Sequence, residues 1–169
     1  MTIQIKVRDT ESGDILFLEK WLNHESSRKS YLPENAEEAK VSASMWMSVC
    51  LLNCSYNSSL TATVDGEPVG IVTLQLIPFK KIKHTAEFSI IVSPEYQRNG
   101  VGSNLMNEFF KMCKERFGLE LIYLHIYQGS DSIKFYKKLG FIKFATQEKW
   151  LKDPSTGHYR SRIFLQKNL

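Results

Sequence analysis

The 169-residue chain lacks several features that would assign it to a specialised class. It has only three cysteines, Cys50, Cys54 and Cys113. That number is small and odd, which argues against a secreted disulfide framework and makes a reducing cytoplasm the expected setting. Cys50 and Cys54 lie four apart on an expected helix, with no second Cys or His pair near them in sequence. They read as buried apolar residues, and no metal is expected. No run of about 18 apolar residues occurs, so no membrane-spanning helix is expected. The opening MTIQIKVRDTESGD contains no apolar signal segment. Linkers, repeats and low-complexity runs are also missing, which leaves a single domain over residues 1–169.

Charge of one sign is not in large excess. The 22 Lys and Arg against 18 Asp and Glu give a net +4, too little to imply nucleic acid. Basic and aromatic residues do not interleave as they do on a single-strand platform. The distribution is uneven, however. Residues 134–169 carry nine Lys and Arg against Glu148 and Asp153, a net +7, which leaves −3 for the first 133 residues. Either a solvated basic face or an anionic ligand near the C-terminal part accounts for this.

What is present is a series of clear periodicities. TIQIKVR alternates as a strand, and GDILFLEKWLNHE repeats as a helix. A second helix runs from about Ala36 to Leu52 and breaks at NCSYNSS. LTATV and PVGIVTLQLI flank Asp65-Gly66-Glu67, a hairpin signal. PFKKIKH leads into a buried strand, FSIIV, that ends before Pro94. A long helix with Leu105, Met106, Phe109, Phe110, Cys113 and Phe117 at helical spacing follows, closing near Gly118. LELIYLHIY is a strand, SDSIKFYKKLG a short helix capped by Ser130 or Asp131, and FIKFATQEKW and HYRSRIFLQKN are the last two strands. The strand–helix–strand crossover makes its two strands parallel. The expected fold is therefore a mixed α+β sheet, mostly antiparallel, with helices on both faces.

Among only 9 glycines, Gly100 and Gly102 stand two apart at the mouth of the long helix, in VSPEYQRNGVGSNLM. Helix starts have unpaired N–H groups and a positive dipole end, and glycines leave those amides open to an anion. A tight strand-to-helix turn would select the same two residues.

Two segments read together carry more. QRNGVG, Gln97 to Gly102, fits the Q/R-x-x-G-x-G/A signature of the GNAT superfamily of N-acetyltransferases. FYKKLGF, Phe135 to Phe141, resembles that superfamily's downstream helix motif. The resemblance covers the strand order from Thr2 to about Leu165. HTAEFSIIVSPEYQRNGVGSNLM is similar to a branch of small-molecule acetyltransferases with an H-x-A-E strand. The resemblance implies a splayed sheet in which Phe88–Val92 and Leu121–Tyr127 part to admit acetyl-CoA. It implies that Ile90, Ile91 and Val92 offer backbone groups to the pantetheine arm, with the N–H of Ile90 polarising the thioester carbonyl. It places the pyrophosphate on the Gln97–Ser103 turn, at the amides of Arg98, Asn99, Gly100, Val101, Gly102 and Ser103. One departure stands out. Many members have Asn seven residues before the motif tyrosine, where this chain has Gly129.

Acetyl transfer to an amine needs a base, an oxyanion donor and an acid for the departing thiolate. Tyr136, at the motif tyrosine, is the acid candidate, and packing with Ile133 and Leu139 is the plainer role for it. Glu87, a carboxylate within the apolar strand AEFSIIV, is the base candidate, or else a solvent-facing strand residue. His84 is the second choice, at the strand edge. His125 either lines the cleft or is a satisfied sheet histidine. Cys113, on the apolar helix stripe, is a poor nucleophile candidate.

The expected activity is direct transfer of acetyl from acetyl-CoA to a primary amine of a small molecule or protein terminus, in a ternary complex. A non-catalytic acyl-CoA-binding module is the alternative. Acceptor recognition is expected from the first two helices, LIPFKKIKH and KDPSTGHYR, with Trp21, Tyr31, Trp46 and Trp150 as candidate pocket aromatics. Oligomeric state stays open, a homodimer included.

Overall fold

The computed structural model describes residues 3–51, 57–77 and 79–169. Cys54 and the side chain of Cys50 lie outside the described residues, and the reading of that pair goes with them. In chain order the elements are β1 (Ile5–Asp9), α1 (Ile15–Asn23), α2 (Ala36–Leu51), β2 (Asn57–Val64), β3 (Glu67–Leu76), β4 (Thr85–Val92), α3 (Val101–Glu115), β5 (Leu121–Tyr127), α4 (Ile133–Lys138), β6 (Ile142–Lys152) and β7 (Tyr159–Asn168). The sheet order is β1-β2-β3-β4-β5-β7-β6. Every neighbouring pair is antiparallel except β4 and β5, the two strands joined through α3. The expected mixed sheet with one parallel pair is the observed one.

Strand alternation sorts the side chains into two layers. Ala86, Phe88 and Ile90 of β4 and Ile122, Leu124 and Ile126 of β5 face α3, where Leu105, Met106, Phe109 and Cys113 complete the larger core. Ile71 and Ile91 face the other way and are covered by Leu18, Trp21, Leu22, Ala39, Ala43 and Met47 of α1 and α2. Trp21 is thus a core residue, not a pocket aromatic. The helices cover the β2–β4 part of this second face. Next to it, the open part of the sheet carries Glu87, His125 and the β7 side chains. The short α4 is not capped by Asp131. Its N-cap is Ser132, whose N–H donates to the Ser130 hydroxyl oxygen at 3.3 Å.

Asp14 secures the entry to α1. It is 2% exposed and accepts two bonds from the Arg8 guanidinium, both 2.9 Å, one from the Glu11 N–H at 3.0 Å and one from the Thr61 hydroxyl at 2.8 Å. Burial pushes its carboxyl upward, but these donors outweigh burial and hold it below the usual carboxylate value. The stabilisation is therefore present above about pH 4 and is lost as pH falls through the lowered folded-state value. Asp14→Ala removes the buried carboxylate that pairs with Arg8 and accepts from Thr61 and the Glu11 N–H. It should cost about 3 kcal/mol, which lowers the melting temperature by roughly 6–12 °C for a chain of this size. Thermal melts at pH 7 and pH 3 check both statements. The gap between wild type and variant should narrow at the lower pH.

Candidate active site

β4 and β5 pair only at Thr85–Glu87 with Leu121–Tyr123. Beyond Glu87 they part. β4 continues along β3 to Val92, and β5 along β7 to Tyr127. The antiparallel register shows which backbone groups face the resulting gap. The Ser93 N–H donates to the Val69 carbonyl at 2.8 Å, so Ile91 with Ile71 and Ser89 with Thr73 are the hydrogen-bonded pairs of this ladder. The N–H and C=O groups of Phe88, Ile90 and Val92 consequently point into the gap. Two of these carbonyls have partners. The Tyr31 hydroxyl donates to the Ile90 carbonyl at 2.8 Å, and the Gln97 amide donates to that of Val92 at 3.2 Å. Ile91 corrects one expectation: its backbone is spent on β3 and its side chain is 1% exposed under α1 and α2.

At the C-terminal end of β4 the chain turns through the exposed residues Gln97–Gly100 into α3. Gly100 is the N-cap at φ +83°, a conformation other residues adopt at a cost. The Asn104 N–H bonds to the Gly100 carbonyl, so the amides of Val101, Gly102 and Ser103 have no partner within the helix. The two glycines owe their places to different local causes. At Gly100 the cause is backbone conformation, since an added Cβ would meet only Asn104 Nδ2, at 3.8 Å. At Gly102 it is packing, because a Cβ would stand 3.3 Å from the Phe135 ring. Both causes are those of a tight strand-to-helix turn, one of the two readings that the sequence allows for these glycines. The mouth itself is open and rich in amides.

Tyr136 on α4 is 5% exposed. Its ring packs against Phe88, Phe135 and Phe141 at centroid distances of 6.4, 5.3 and 5.6 Å. Burial drives its phenol well above the ordinary value, and the neighbouring Tyr31 adds to the rise. The hydroxyl therefore keeps its proton. Among the described residues none hydrogen-bonds to it. Tyr31, on the connection between α1 and α2, packs edge-on against Trp46 at 6.2 Å.

On the other side of the gap, Glu87 Oε1 lies 3.0 Å from Nδ1 of His125. The Arg162 guanidinium lies 2.9 Å from the same nitrogen. A guanidinium only donates and an ionised carboxylate only accepts. A protonated Nδ1 therefore donates to Glu87, and a bare Nδ1 accepts from Arg162. Sequence brings Glu87 forward but not its partners. His125 is satisfied, as a sheet histidine should be, and what satisfies it is the candidate base. The signal for Arg162 was the alternation of HYRSRIF, which puts Arg160 and Arg162 on one face. His84 is placed elsewhere. It sits exposed on the turn before β4, where its carbonyl accepts from the Glu120 and Leu121 N–H groups. At about 3.3 Å per residue it lies roughly 20 Å along the strand from Ile90. A hollow lined by Glu37, Lys40, Val41, Ser44, Met45 and Ser48 lies on the outer face of α2, away from the parted strands.

The family model described as "Acetyltransferase (GNAT) family" matches residues 17–141. The chain belongs to the GNAT acetyltransferase family. Its similarity to the L-amino acid N-acetyltransferase AaaT of Escherichia coli K12 is 34% identity over 92 residues, 54% of this chain and 57% of that protein. This chain therefore spans under two thirds of that relative. Spermidine N(1)-acetyltransferase of Vibrio cholerae is 26% identical over 144 residues, 85% of this chain and 82% of that protein. Among solved structures, a GCN5-related N-acetyltransferase from Kribbella flavida superposes with a TM-score of 0.78 at 21% identity, covering 98% of both chains. yncA from Salmonella typhimurium, solved with its cofactor acetyl-CoA, gives 0.76 at 20% identity over 98% of this chain and 94% of that one. At these identities the likeness shows the GNAT fold. Glu87 with His125 lies on the face of the sheet opposite α3. No helix among the described residues is long and apolar enough to cross a membrane.

Proposed function

We infer that the protein transfers an acetyl group from acetyl-CoA directly to a primary amine, within a ternary complex. The observation that carries this is the parting of β4 from β5 immediately after Glu87, which leaves β4 amides facing a gap beside an open helix mouth. These are the donors a thioester arm and a diphosphate require, so the residues fit acetyl-CoA. The amides of Arg98 to Ser103 would hold the diphosphate, and the backbone of Ile90 and Val92 would hold the arm. When bound, acetyl-CoA supplies an acyl group activated as a thioester. The Ile90 N–H, which faces the gap, would donate to its carbonyl oxygen, an interaction worth about 3 kcal/mol where charge develops. Glu87 accepts the amine proton, and Tyr136 donates to the departing sulfur. Direct transfer also agrees with Cys113, which is fully buried on α3 and whose thiol burial pushes up to about 12, out of range for a nucleophile. L-amino acids and spermidine, named in the two relatives, are both amines.

The test is thiol release from acetyl-CoA across an amine panel, with calorimetry of acetyl-CoA binding. Turnover of at least one amine is expected. Tight binding with no turnover on any amine would make the protein an acyl-CoA-binding module instead.

Ser103→Glu probes the donor side. Ser103 is exposed on the first turn of α3, so the change strains nothing and puts a carboxylate beside the diphosphate amides. Acetyl-CoA affinity should fall at least about tenfold, or ~1.4 kcal/mol, and less in high salt. Equal affinity by calorimetry would remove the phosphate cradle from α3.

A further inference from the structure

We propose that the acceptor carries a carboxylate close to its amine, and that Arg162, with Arg160 beside it, receives that carboxylate. This rests on the reading of the parted strands as an acetyl-transfer site and specifies what enters from the opposite face.

Arg160, Arg162 and Phe164 alternate onto one face of β7, and the register sets Arg162 opposite Tyr127 and Phe164 opposite His125. That is the face on which Glu87 meets His125. Aromatic rings hold both guanidiniums in place. Arg162 lies over Trp150 at 4.6 Å and Phe164 at 4.9 Å, and Arg160 over Tyr127 at 5.8 Å. Arg160 also donates to the Lys29 carbonyl at 3.1 Å, which ties β7 to the connection that carries Tyr31. Among the described residues no carboxylate pairs with either arginine. Each has a buried Nε–H with no hydrogen-bond partner.

Both arginines are half-buried, and buried donors without partners, such as these two Nε–H groups, are rare in folded proteins. The two guanidiniums that carry them are held by stacked rings on one face of β7, and the N–H groups of a guanidinium suit a planar oxyanion. Glu87 and Arg162 touch the same His125 nitrogen, at 3.0 and 2.9 Å, so the opposite charges are separated by no more than those two contacts. A ligand that answers both must present an ammonium and an anion on neighbouring atoms, as an α-amino acid does. A polyamine offers the arginines only further cations, which they repel. A peptide N-terminus has an amide where an amino acid has its α-carboxylate.

The experiment compares kcat/KM for a panel of L-amino acids, the matching amino-acid amides, the matching decarboxylated amines, O-phosphoethanolamine and spermidine, in wild type and Arg162→Met. At least one amino acid should exceed its amide and its decarboxylated amine by roughly 30-fold or more, the scale of a desolvated charge pair. Arg162→Met should bring that ratio toward one, mainly through KM for the amino acid. Arg162→Lys should restore only part of it, since a point charge lacks the fork. Should Arg162→Met fail to fold, Arg160→Met and the wild-type panel still decide. A wild-type preference for spermidine, for a decarboxylated amine or for an amide would overturn the proposal while leaving acetyl transfer intact. A preference for O-phosphoethanolamine would also overturn it, in favour of a phosphate. If no amine at all is acetylated, the underlying reading fails first.

Discussion

Tyr136→Phe should lower turnover by about 10²–10⁴-fold, the range for loss of a general acid, or roughly 3 to 5.5 kcal/mol of barrier. Acetyl-CoA affinity and melting temperature should scarcely move. The structure sharpens this contrast. The ring is locked among Phe88, Phe135 and Phe141, and phenylalanine keeps every one of those contacts. Among the described residues none takes the hydroxyl, so its removal breaks no protein hydrogen bond. A structural tyrosine of this kind would give up less than the ~1 kcal/mol of an ordinary hydrogen bond. Measuring kcat, acetyl-CoA affinity and melting temperature on the same preparations separates the roles. A turnover loss smaller than about threefold, well short of the general-acid range, would reduce Tyr136 to packing.

The second large effect is at Glu87. Glu87→Gln keeps an oxygen that accepts from His125 Nδ1–H but cannot take up a proton. Turnover near neutral pH should fall by about 10²–10⁴-fold. The defect should shrink as pH rises, because the free fraction of an alkyl amine grows about tenfold per pH unit below its pKa of roughly 10. At high pH the acceptor arrives already neutral and the missing base matters less. A pH–rate profile parallel to wild type across that range would return proton removal to solvent. His125→Ala belongs in the same series as a test of positioning. If His125 only aligns Glu87, the variant should lose less than Glu87→Gln and keep the same sense of pH dependence.

Much of the fold was legible because each element carries its own period. The hairpin at Asp65-Gly66, the apolar strand ending at Val92 and the α3 stripe from Leu105 to Cys113 all signal locally. Glu87 was legible for a related reason, as a carboxylate in an apolar run. The pairings within the site were not, nor was Arg162, because they join residues that meet only through the sheet. His125 is 38 positions from Glu87, and Arg162 is 37 from His125. Tyr31 lies on a connection with no periodicity, yet it reaches Ile90 across 59 residues. His84 misled because three positions along a strand are about 10 Å, enough to carry it out of the cleft. Ile91 misled because nearness in sequence to Ile90 says nothing about which neighbour its amide serves.

β4 also bears on how such a protein can change its chemistry over evolutionary time. Phe88, Ile90 and Val92 turn their backbone groups into the gap where the proposed acyl donor would lie, and Glu87 and Ser89 turn their side chains to the face proposed for the acceptor. Backbone atoms survive almost any substitution. Mutations at the odd positions can therefore explore new acceptors while donor recognition is inherited unchanged. The same division suits laboratory redesign: a library confined to positions 87 and 89, with their facing partners on β5 and β7, should yield altered acceptor choice without a search for restored cofactor binding.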